Sequence, residues 1–175
     1  MFKRIVVSAI LCGFVAEPAL AAACYKPHEA RAATVRQLQT ELMVAALKCQ
    51  GHPDGLTAKY NNFVRKFNPD LSTNAKILRS HFSRTYGKDH ARRFDTYITT
   101  LANEASIRSS QTANYCASMA PIFETVLGIG GPELEDFAAR AVVSTAQSCE
   151  TPVKTVSTGK ASADVSKIAA RSEKR

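Results

Sequence analysis

Apolar positions fall in helical register along most of the chain. Val35, Leu38, Leu42, Ala45 and Cys49 recur at spacings of three and four, so residues 28–49 should form a helix with one buried face. Pro27 precedes that run, where its fixed φ suits a first helical turn. The cluster Gln50-Gly51-His52-Pro53-Asp54-Gly55 reads as a turn. Leu56, Tyr60, Phe63, Val64 and Phe67 mark a second helix, which Asn68-Pro69 should stop. Leu71, Ala75, Leu78, Phe82 and Tyr86 mark a third, with Ser72 as its expected N-cap and Gly87 as its stop.

Ala91, Phe94, Ile98, Leu101 and Ala105 mark a fourth helix, with a weak break at Ser109-Ser110-Gln111. A fifth carries Tyr115, Met119, Phe123 and Val126, and Pro121 inside it should kink or split it. Gly128-Ile129-Gly130-Gly131 is a loop, and Pro132-Glu133 opens a sixth helix whose inner face is Leu134, Phe137, Ala138, Ala141, Val142 and Thr145. No run alternates with period two for long enough to be a strand. The expected fold is all-α, a compact bundle of about five to six amphipathic helices over residues 24–150.

The two ends differ from this pattern. Lys3 and Arg4 precede an uncharged, mostly apolar run from Ile5 to Ala16, and Ala19-Leu20-Ala21-Ala22-Ala23 offers small-residue cleavage sites. Residues 1–23 thus read as a signal peptide cut after Ala21 or Ala23, since the apolar run is short of the roughly 20 residues of a membrane span. No transmembrane segment is expected after cleavage. Lipidation of Cys24 is disfavoured by Ala21 three places before it and by the Glu17-Pro18 interruption. Residues 151–175 hold no aromatic and are rich in Ser, Thr, Ala and Lys, so a disordered basic tail is expected there.

Export gives the cysteines a meaning. Removing Cys12 with the signal leaves Cys24, Cys49, Cys116 and Cys149, an even set that should form two disulfides. A straight helix over 28–49 is about 31 Å long, and the four residues from Cys24 to His28 reach back only about 14 Å. Cys24 therefore should not pair with Cys49. Either remaining connectivity ties the first helix to the end of the bundle. Metal binding and thiol redox chemistry both lack the required Cys-x-x-Cys spacing.

Charge changes the picture further. The 175-residue chain carries a net +8, unevenly spread. Lys59, Arg65, Lys66, Lys76, Arg79, Arg84, Lys88, Arg92 and Arg93 face only Asp70 and Asp89 within residues 59–93, a net +7. Residues 94–150 are net −5, and the tail returns to +4. Such sorting points to an anionic partner: an acidic protein, an anionic glycan or a lipid headgroup of the cell envelope. A solvated face that only solubilises is the competing explanation. Nucleic acid fits the charge but is seldom met by an exported protein.

Catalytic constellations are faint. His81 and His90 flank a short turn near Asp89 and Asp95, but a third converging ligand is missing, so both read as surface histidines without a metal. Glu41 and Glu104 each border a buried face and would meet if the first and fourth helices were neighbours, the arrangement a helical cell-wall hydrolase or transglycosylase would use. No Gly-x-Ser-x-Gly elbow is present, and the glycine-rich loop before the sixth helix lacks the Lys-Ser/Thr of a phosphate cradle. No cofactor is implied. The expectation is a small exported, non-enzymatic helical protein that binds an anionic partner through residues 59–93, with the hydrolase and a chaperone-like envelope factor as alternatives.

Overall fold

Helix α1 (Pro27–Lys48) runs through the middle of the molecule and packs against every other α-helix. A computed structural model describes residues 24–149; the expected signal peptide at 1–23 and the basic tail at 151–175 lie outside the described residues. Around α1 stand α2 (Leu56–Lys66), α3 (Asn68–Tyr86), α4 (His90–Gln111), α5 (Tyr115–Gly128) and α6 (Leu134–Ala141), with 3₁₀ turns at Gly87–Asp89 and Gly131–Glu133. The fold is all-α.

Its central position makes α1 more than amphipathic. Besides the expected Val35, Leu38, Leu42 and Ala45, the chain buries Ala32, Ala33, Val44 and Ala46, together with polar Thr34, Gln37 and Thr40. The small alanines let neighbouring helices approach closely on all sides. Thr34 and Thr40 donate their hydroxyls to the Ala30 and Arg36 carbonyls one turn back, so they enter the interior without an unmet donor.

Two apolar clusters flank this helix. One joins Leu38, Leu42, Phe63, Phe67, Phe123, Leu134 and neighbouring residues of α1, α2, α5 and α6. The other joins Ala32 and Ala33 to Leu78, Phe82 and Phe94, where α3 and α4 close as an antiparallel hairpin. Burying one such Phe or Leu side chain stabilises the fold by about 1.5–3 kcal/mol. Gly87 ends α3 at φ +52°, a conformation that L side chains rarely adopt, and so allows the tight reversal into α4.

Several expected boundaries shift. Pro69 does not separate α2 from α3; it lies in the first turn of α3, where its missing N–H costs nothing, and Ser72 lies inside the helix. Pro121 does not split α5, which is continuous from Tyr115 to Gly128. The carbonyl it orphans belongs to exposed Ala117, where water is an adequate partner. Helix α6 ends at Ala141, so Val142 and Thr145 are not helical.

Residues 142–149 instead form an extended strap laid back along α1. Gln37 donates its side-chain amide to the Val143 carbonyl at 3.0 Å, and Thr34 reaches Ser144 at 2.9 Å. The strap ends in a one-residue bridge beside Tyr25, with Tyr25 N–H donating to Gln147 and Cys149 N–H to Tyr25. Disulfides fix both ends of α1: Cys24–Cys149 at the strap and Cys49–Cys116 at α5. The straight-helix argument against Cys24–Cys49 holds.

Candidate functional site

The nine basic residues of 59–93 divide into two groups. Helix α3 separates them: nineteen residues at 1.5 Å each place its ends about 28 Å apart. On α2, Lys59 pairs with Glu124 at 2.6 Å, Lys66 donates to the Leu127 carbonyl at 2.6 Å, and Arg65 bonds Asn62. Lys59 and Lys66 thereby tie α2 to α5.

Along α3 and around the α3–α4 turn the cations are held differently. Lys76, Arg79, Lys88 and Arg93 are exposed, and none of the four has an ion-pair partner among the described residues. Arg79 lies over the Phe94 ring at 5.4 Å and Arg93 over Tyr86 at 5.5 Å, so each guanidinium has a fixed seat while its charge faces solvent. Arg92 makes a loose 3.6 Å contact with Asp89, both well exposed. A shallow depression of about 430 Å³ lies between α3 and α4, with Arg79, Ser80, Ser83 and His90 on its walls and Asp95 beside them.

Arg84 belongs elsewhere. Its guanidinium turns inward and donates to Glu29 Oε2 at 2.7 Å. Glu29 is 4% exposed, and the same oxygen also takes the Lys26 backbone N–H at 2.8 Å and lies 3.0 Å from His81 Nδ1. Burial pushes the Glu29 carboxyl upward, yet these three donors together hold it below its ordinary value.

His81 corrects the surface expectation. It is 1% exposed, stacked on Tyr25 with ring centroids 4.0 Å apart, and edge-on to Phe82. Burial holds its imidazole below the usual range, against the opposing pull of Glu29. Facing an ionised carboxylate, a neutral His81 carries its proton on Nδ1 and donates it. His90 stays on the surface, 2.8 Å from the Gly87 carbonyl. Spacing alone had a signal here, because Leu78, His81 and Phe82 share one helical face.

Helices α1 and α4 are neighbours, and Glu41 and Glu104 do approach the same place. Arg108 stands between them, donating from Nε to Glu41 at 3.0 Å and from Nη2 to the same oxygen, with Nη1 3.9 Å from Glu104. One guanidinium shared by two carboxylates is a salt-bridged rim, not two acids facing each other across a substrate. Glu41 and Arg108 also border a cleft of about 450 Å³ between α1, α4, α5 and the strap.

Among the described residues no group of three His, Cys, Asp or Glu side chains could hold a metal ion, and no helix is long and apolar enough to cross a membrane. The chain matches no protein family, no characterised protein and no solved structure.

Proposed function

We propose that this is an exported, non-enzymatic binding protein whose α3–α4 hairpin engages a polyanion of the cell envelope. Carrying the reading is the group Lys76, Arg79, Lys88 and Arg93, exposed cations on one hairpin without ion-pair partners among the described residues. A merely solubilising surface gains by interspersing opposite charges, as α2 and α5 do through Lys59 and Glu124. Exposed cations spread along a hairpin with only a shallow depression between its helices suit an extended anion, such as an anionic glycan, better than a small one needing a deep pocket. Acidic proteins and lipid headgroups carry the same charge and compete for the surface.

Two disulfides that close loops of 125 and 67 residues suit an oxidising compartment, and the sequence pattern of residues 1–23 supports export. Binding of the purified chain to an immobilised sulfated glycan, to acidic vesicles and to a polyglutamate matrix, at low and high salt, tests the reading. The expected result is tightest retention on the glycan, weakening as the Debye length drops from about 10 Å at 0.1 M to about 3 Å at 1 M. Retention on none of the three at low salt would contradict it.

A further inference from the structure

The depression between α3 and α4 carries more than a cationic surface requires. Its volume of about 430 Å³ is that of a small-molecule site, though it is open to solvent. Two buried rings, Phe82 and Phe94, form its apolar part. Its polar part is Arg79, Ser80, Ser83, His90 and Asp95, a set that includes an acid in the middle of a basic hairpin.

These groups do not satisfy one another. Arg79 and Asp95 border the same depression, yet neither has an ion-pair partner among the described residues. The exposed Ser80 and Ser83 hydroxyls make no hydrogen bond among those residues either, whereas Thr96 and Thr99 on the facing helix donate to carbonyls one turn back. His90 donates its Nδ1–H to the Gly87 carbonyl at 2.8 Å, which leaves Nε2 of the neutral ring as an acceptor. Arg79 is seated over Phe94 at 5.4 Å, so its guanidinium is in place before a ligand arrives.

A simple anion would use Arg79 and be repelled by Asp95. A carboxylate only accepts hydrogen bonds, so Asp95 needs a donor, while a serine hydroxyl both gives and accepts. A uronate sugar answers all of these at once: its carboxylate matches the planar fork of a guanidinium, and its ring hydroxyls donate to a carboxylate and exchange hydrogen bonds with serines. We infer that the α3–α4 depression seats one uronate residue of an acidic glycan, with Arg79 on its carboxylate and Asp95, Ser80 and Ser83 on its ring hydroxyls. The inference rests on the polyanion reading of the hairpin and narrows it, because an acidic polymer without hydroxyls would leave Asp95 facing only like charge.

Polygalacturonate and polyglutamate carry the same anionic group, and only the first adds ring hydroxyls. Calorimetric titration of the disulfide-bonded chain with each polymer at low salt tests the seat. The unaltered chain should bind polygalacturonate more tightly. Asp95→Asn should weaken that binding on the order of three- to tenfold, and leave polyglutamate binding unchanged or tighter because a negative charge has gone. Charge alone predicts the opposite sign for polygalacturonate. An Asp95→Asn chain that binds polygalacturonate as tightly as before, or more tightly, would therefore overturn the inference. Binding of polyglutamate alone by the unaltered chain would overturn the seat and leave the cationic surface standing; binding of neither polymer would overturn the seat as well. Should Asp95→Asn fail to fold, the pair Ser80→Ala with Ser83→Ala decides it: weaker polygalacturonate binding with polyglutamate unchanged supports the seat, and no change in either rejects it.

Discussion

Glu29 and His81, fifty-two residues apart in sequence, meet at 3.0 Å in the interior where α1 begins. Their contact locks the start of α1 to the last turns of α3, and Arg84 closes it from the solvent side. Tyr25, stacked on His81, carries the same cluster to the strap and to the Cys24–Cys149 bridge. The basic hairpin is thus braced from beneath by a buried acid.

Acid should loosen this brace in two steps. His81 has its folded pKa below the unfolded value of 6.5, so its neutral form contributes stability that is complete above 6.5 and lost as pH falls through the folded value. Glu29 lies below its unfolded 4.5 and acts in the same direction at lower pH. Urea midpoints measured from neutral to acid pH should fall steadily, and the segment just below 6.5 should flatten in His81→Phe. An unchanged slope in that variant would count against the buried imidazole.

Removing the acid itself should be more damaging than removing surface charge. Glu29→Ala strips three donors of their acceptor, at a cost of about 2–3 kcal/mol, discounted because Arg84 is 38% exposed on its side chain. Arg93→Ala, which loses only an exposed contact with the Tyr86 ring, should cost no more than about 1 kcal/mol. Equal losses in chemical denaturation would contradict the distinction between the braced arginine and the free ones.

The bridges should differ in what they protect. Loops of 125 and 67 residues give each about 4–5 kcal/mol in the chain-entropy model. Replacing Cys24 and Cys149 by Ser should raise hydrogen exchange at the backbone amides of positions 25 and 149, which join Tyr25 to the strap, before the α2–α5 cluster responds. Replacing Cys49 and Cys116 should leave those two amides protected. Uniform loss across the chain in both variants would argue against a separately anchored strap.

Phe123→Ala tests the larger cluster. Phe123 is fully buried among Phe63, Phe67 and Leu42, so truncation should cost about 3–5 kcal/mol. Thermal or urea unfolding of that variant with a loss below about 1 kcal/mol would mean that the cluster is not packed as described.

Helical register made the bundle legible, because each surrounding helix buries one stripe and the spacing of large apolar residues shows it. Two features defeated that reading. α1 is buried on nearly every side, and Thr34, Gln37 and Thr40 hide their polarity in bonds that no spacing reveals. Val142 and Thr145 continue the register of α6, but the Cys24–Cys149 bridge and the Gln37 amide draw them into the strap. Charge counting found the cations of 59–93 without separating those α2 spends on α5 from those the hairpin leaves free. It missed Glu29, whose role needs the tertiary approach of α1 to α3.

Charge-matched reversals test the central claim most directly. One variant carries Arg79→Glu and Arg93→Glu on the hairpin; the other carries Arg65→Glu and Arg140→Glu, exposed residues on α2 and α6. Both change net charge by the same amount, and neither touches the Arg84–Glu29 contact. Retention of the two folded chains on the immobilised sulfated glycan at low salt is the measurement. Loss of retention in the hairpin variant, with the other retaining most of its binding, is the predicted result. Equal weakening in both, or full retention in the hairpin variant, would show that net charge or another surface governs binding and would contradict the assignment.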